Sequence, residues 1–219
     1  LLPYYECARK MLAANPVPGA AGLLKVQALE RRARQLGTHA GALNVAVNFD
    51  IEGLNPHNVV QHPCVKCGDC ISGCNFAAKN TLYMNYLPFA AANGTDIFTQ
   101  TKVEWVEKLA GGGWRIHGRY YRDGQDRGKS FTLDARNVVL SAGSISSTEI
   151  LLRSEMNGLP VSPALGTGFS GNGDFFGLAY NGDYQTDVLG YGRLLPRSGE
   201  PGYPGPSIVG VVRYNGSSP

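Results

Sequence analysis

The chain has 219 residues, a formal net charge of +3, 43% hydrophobic and 17% charged residues. That length allows one or two domains with a sizeable core. The basic residues are too scattered for a nucleic-acid face, and no apolar run approaches the length that spans a bilayer. Five cysteines, four of them clustered, argue against a secreted disulfide scaffold and for a reducing, cytoplasmic compartment; no signal peptide is visible.

Residues 1–14 carry apolar side chains at helical spacing, and the NPVPG run at 15–19 stops that helix. Leu23 to Leu36 reads as a second amphipathic helix with Leu24, Ala28, Leu29, Ala33 and Leu36 inward and Gly37 as its cap. Asn44 to Phe49 alternates like a strand. Ala78 to Ala92 reads as a helix that accommodates Pro88 only with a kink or interruption. Residues 95–109, WRIHGRYY and KSFTLDA predict strands, the last two joined through the polar turn RDGQDRGK into a small antiparallel meander.

RNVVLSAG is a short, continuous apolar run that ends in small residues, and SISSTEILLRSEM follows as a helix, with Ser146 or Ser147 as cap and Glu149 in its first turn. Strand, glycine turn, helix is the connection of a parallel α/β sheet, whose ligands sit beyond the strand carboxyl ends. The Gly/Pro-rich remainder has strand-like patches at 175–181 and 207–214. Its FSGNGDFFG run sets Asn172 and Asp174 among glycines, either as a plain turn or to bring an amide and a carboxylate to a cofactor.

Cys64, Cys67, Cys70 and Cys74 follow the spacing C-x2-C-x2-C-x3-C. This is the ligand run of bacterial iron–sulfur proteins without its usual following proline. An iron–sulfur cluster, zinc or disulfides, and a structural loop without metal all remain open readings; zinc sites usually split their cysteines into two separated pairs. Cys7 reads as a core cysteine. The histidines form no catalytic set: His39, His57 and His62 fall in predicted loops, and His117 in a strand.

Three stretches together resemble the glucose–methanol–choline (GMC) oxidoreductases, in particular the cholesterol-oxidase-like bacterial branch: CVKCGDCISGCNFAAKNTLYMNYLPFAAANGTDIFTQTKVEWVE, NVVLSAGSISSTEILLRS and LGTGFSGNGDFFG. The resemblance implies an α/β fold, part of a doubly wound FAD-binding domain interrupted by a substrate domain on an antiparallel sheet. Residues 1–60 would be a helical segment of the substrate domain, 61–168 part of the FAD domain, and 169–219 the start of the substrate domain, in a chain incomplete at both ends. It further implies that the backbone of Ser141, Ala142 and Gly143 lies near the dinucleotide, that Val103 meets the adenine, and that Asn172, Gly173 and Asp174 approach the flavin. The implied chemistry is oxidation of a sterol or other bulky alcohol by hydride transfer to flavin, with oxygen or a redox protein as electron acceptor. The family's GxGxxG fingerprint and its catalytic His/Asn pair are absent from this sequence, so the piece alone is expected to be inactive. A small iron–sulfur electron carrier is the alternative reading.

Overall fold

The computed structural model describes residues 1–122, 127–177, 179–188 and 204–213. It divides into two compact units, Leu1–Asp96 with Ala179–Pro219, and Ile97–Leu178. Both mix helices with antiparallel strand pairs.

The first unit begins with helix α1 (Leu2–Met11), none of whose residues is buried. Strand β1 (Ala14–Pro16) pairs antiparallel with β3 (Asn44–Ala46). Helix α2 (Leu24–Gln35) packs on β2 (His39–Ala42) and on β9 (Gly210–Arg213), which pair with each other. Val17, Leu23, Val26 and Val209 form the core here. The buried stripe of α2 matches the expected one in part: Ala33 is buried and Ala28 and Leu29 are half-buried as expected, but Lys25 and Val26 are buried too, whereas Leu24 and Leu36 are exposed. The stripe turned because β2 and β9 lie beneath Val26, at a face the local periodicity could not single out. Gly37, at φ 65, ends the helix as expected.

A two-residue pair, β4 (Gly53–Leu54) with β5 (Val60–Gln61), precedes the cysteine loop. The expected long helix after that loop is shorter. Residues 78–81 bridge back to Val47 instead, a 3-10 turn covers Leu82–Met84, and α3 spans only Tyr86–Ala92. Pro88 therefore sits in the first turn of α3, where its missing N–H would have no helical partner anyway. The Asn85 side chain caps this helix by accepting from the Tyr86 N–H at 2.7 Å.

The second unit is the predicted meander: β6 (Thr101–Lys108), β7 (Trp114–Tyr120) and β8 (Lys129–Ala135), in the order β6-β7-β8. Part of the turn between β7 and β8, residues 123–126, lies outside the described residues. Helix α4 (Gly143–Met156) packs on β6. Ser154, fully buried on α4, accepts from the Val106 N–H of β6 at 2.9 Å and donates to the Ile150 carbonyl at 2.8 Å. The expected strand at 136–140 is not paired with any described strand, and Val139 is 86% exposed. The patch at 175–177 is not a strand, residue 178 lies outside the described residues, and the second patch is the strand β9, with Tyr214 outside them.

Candidate functional site

Two regions carry the residues singled out from the sequence. In the second unit, α4 starts one residue past the SA dipeptide. Gly143, at φ +82, makes the turn into the helix, a conformation that other residues adopt only with strain. Ala142 is the N-cap, and its N–H donates to Ser147 Oγ at 3.0 Å. Ser147 thus tethers the turn from inside the helix rather than capping its start, and Glu149 lies beyond the first turn, where it pairs with Arg153.

Ser141 and Ala142 share a cavity of about 760 Å³ with Val103. Its other walls are the inner face of the meander (Ile116, Phe131, Leu133) and the run Val138 to Leu140. Three of the seven expected cofactor contacts therefore meet at one largely apolar space, of a size suited to a small ligand. A second, open cleft of about 1090 Å³ runs past Ser141 and Gly143 to Gly166, Gly168 and Phe169. Asn172, Gly173 and Asp174 line neither cavity. They form an exposed turn closed by the Asp174 N–H on the Gly171 carbonyl at 3.1 Å, with Asn172 at φ 59.

The four clustered cysteines lie in the first unit. All four are free thiols, half-buried, and line one small cavity with Val47, Phe76, Ala78 and Lys79. Burial is the main cause that pushes the Cys64 thiol up, opposed by the Lys66 N–H donating to its sulfur at 3.4 Å; Cys70, Cys67 and Cys74 add to the rise. Among the described residues, no three His, Cys, Asp or Glu side chains converge so as to hold a metal ion. Cys7 is exposed on α1, not in a core, and no residue of α1 is buried.

The residues that frame the loop were not apparent from the sequence. Asn48 receives the Asp50 and Ile51 N–H groups on its side-chain oxygen and donates to the Ile51 and His62 carbonyls, while its own carbonyl takes the Cys64 N–H at 2.9 Å. Asn55, Gln61 and Asn80 continue this as a buried amide chain. Lys25 donates to the carbonyls of Val188 and Gly205, to Pro206 at 2.6 Å and to Ser207. Burial lowers its pKa from 10.5 to about 8, against the opposing pull of Cys70 and Asp187. Asparagines in a loop and one lysine in a helix carry no pattern; only the three-dimensional partners reveal them. Of the histidines, His62 pairs with Glu52 at 2.6 Å. His117 stacks on Trp105 with ring centroids 3.6 Å apart, and His39 lies in β2 rather than in a loop.

Residues 13–169 match the family described as GMC oxidoreductase. The chain belongs to the GMC oxidoreductase family. It is 30% identical over 171 residues to a cholesterol oxidase of Mycobacterium tuberculosis (strain ATCC 25618 / H37Rv), covering 70% of this chain and 28% of that protein. It is also 37% identical over 99 residues to a cholesterol oxidase of Acinetobacter baumannii, covering 43% of this chain and 18% of the relative. The chain thus spans less than a third of the length of these curated relatives. Membership makes the mixed helices and sheets part of an α/β oxidoreductase, in its cholesterol-oxidase-like branch, and implies FAD as the cofactor. No helix among the described residues is long and apolar enough to cross a membrane.

Proposed function

We propose that the parent protein is an FAD-dependent enzyme oxidising the CH–OH group of a sterol or other bulky alcohol, and that this chain contributes part of its cofactor site. The observation that carries this reading is the shared cavity of Val103, Ser141 and Ala142 in a member of the GMC family. FAD, when bound, would supply the hydride acceptor, and the protein orientation and electrostatics. The residues here fit such a role: a glycine turn at a helix start allows close backbone approach, and the helix amino end favours an anion. Asn172, Gly173 and Asp174 are assigned the flavin side of the site, from an exposed turn free to meet it. The family's base is not assigned to any residue of this chain.

In the same reading, residues 61–168 belong to the FAD domain, and 1–60 and 169–219 to the substrate domain, in a protein working in the cytoplasm. Electrons pass to oxygen or to a redox protein. A stand-alone iron–sulfur electron carrier rests on the cysteine spacing alone and leaves the meander and α4 without a role.

The test is to express the full-length parent, record its absorbance, and add sterols and bulky alcohols without oxygen. Flavin bands that bleach with alcohol are expected. A purified, folded parent without flavin, or one whose flavin no alcohol reduces, would refute the reading.

A further inference from the structure

We propose that Cys64 and Cys70 are a reversibly oxidisable thiol pair, joined into a disulfide by a peroxide. The spacing of the four cysteines is that of cluster ligands, but their surroundings do not fit one. The cavity they line is about 20 Å³, room for roughly one water and none for an inorganic core. Among the described residues, no side chains converge to hold a metal ion either. A disulfide needs no such space, because its bond of about 2.05 Å brings two sulfurs together across the gap. All four cysteines are free, half-buried thiols around that gap. Of the other three, Cys70 acts most strongly on the Cys64 thiol through space, which makes it the nearest partner.

The surroundings give the two thiols different parts. Positive charge gathers at Cys70: Lys25 attracts its thiolate, and Lys79 Nζ donates to its carbonyl at 3.0 Å. An electropositive, partly exposed setting is what makes a thiol react with oxidants. Cys64 is the fixed member. Its N–H donates to the Asn48 carbonyl at 2.9 Å, and the Lys66 N–H donates to its sulfur at 3.4 Å. The backbone between the two is tied down by residues 204–209, through the Gly205 N–H on the Lys66 carbonyl at 2.9 Å and Ser207 Oγ on the Gly68 carbonyl at 2.8 Å. Beyond Cys70, the edge Ile71–Gly73 is exposed and Gly73 stands at φ 127, so a small shift of Cys70 toward Cys64 disturbs little packing.

In the first step the Cys70 sulfur attacks one oxygen of hydrogen peroxide, the O–O bond breaks, and a sulfenic acid and one water form. The Cys64 sulfur then displaces the sulfenic oxygen as a second water. Two thiols lose two electrons in all, and one peroxide is reduced to two waters. A thiol reductant reverses the bond by exchange. On the flavoenzyme reading, oxygen that takes the electrons of one alcohol supplies one such peroxide; the pair itself does not rest on that reading. The experiment treats the reduced full-length protein with hydrogen peroxide, alkylates the remaining thiols and maps the peptides by mass spectrometry. A Cys64–Cys70 link that a dithiol removes is expected. In Cys64→Ser, a cyclic dione should trap the sulfenic acid on Cys70. Cys70→Ser should oxidise about tenfold more slowly, and Cys7→Ser should behave as wild type. A link between any other two cysteines, a Cys70 that yields no trapped sulfenic acid, or stoichiometric metal that shields all four thiols from alkylation overturns the proposal. Alcohol and oxygen together should form the same link. If only added peroxide forms it, the thiol pair stands and the flavoenzyme reading loses oxygen as its acceptor.

Discussion

Ser154→Ala tests the joint between α4, which carries the glycine turn at its start, and β6, which carries Val103. Ser154 is fully buried, and its hydroxyl is the recorded partner of the Val106 N–H. The two contacts it loses are not equivalent. The Ile150 carbonyl lies one helical turn back in α4, where the backbone ladder also reaches it, so losing the hydroxyl costs it little. The Val106 N–H points away from β7 into the interior, and Val106 is itself 2% exposed. Left unpaired there, it carries the full desolvation penalty, about 1–3 kcal/mol. At about 2 kcal/mol, local opening becomes roughly thirtyfold more frequent. Hydrogen exchange of the full-length protein, resolved to Val106, should show that loss of protection, and Ser154→Thr, which keeps the hydroxyl, should restore part of it. The exposed Ser146→Ala is the control. If Val106 exchanges within a factor of two of wild type in Ser154→Ala, the bridge does not hold the helix to the sheet and the argument fails.

Lys25→Met should flatten a pH dependence. The lysine's pKa is lowered in the fold, so between about pH 8 and 10.5 the unfolded chain holds a proton that the folded chain sheds, and stability from this group rises with pH. With water still screening the ammonium, the swing is held to about 1–2 kcal/mol; urea unfolding at pH 8 and pH 10 should show it in wild type minus variant, and equal slopes would contradict it. Asn48→Ala should loosen the anchor of Cys64 and raise its alkylation rate by about tenfold, the equivalent of one lost buried hydrogen bond, read by maleimide labelling. Gly118→Ala should fail to form a native meander, because a Cβ would stand 2.6 Å from the Lys102 carbonyl oxygen and from the Phe131 ring, and the carbonyl belongs to a backbone ladder; a soluble variant with unchanged circular dichroism would refute this.

Much of the fold was legible where one local rule acted alone. The meander follows from alternation and turn glycines, and α2 from its periodicity and Gly37. The misread features each depended on something distant. Val138 to Leu140 has the composition of a buried strand, but a strand needs a neighbour, and none of the described strands supplies one. Pro88 suggested a kink because the start of α3 was placed too early; the Asn85 cap sets it. The spacing of the four cysteines placed them together in one loop. It carried nothing about Lys25 or Ser207, which reach the loop's surroundings from the two ends of the chain.

That long reach orders events during synthesis. Ser207 is 139 residues beyond the Gly68 it holds, and Lys25 waits for Pro206, 181 residues later. The cysteine loop therefore emerges from the ribosome long before residues 204–209, which tie to it. In that interval the loop lacks the Gly205 and Ser207 contacts to its Lys66 and Gly68 carbonyls, which form only once residues 204–209 follow.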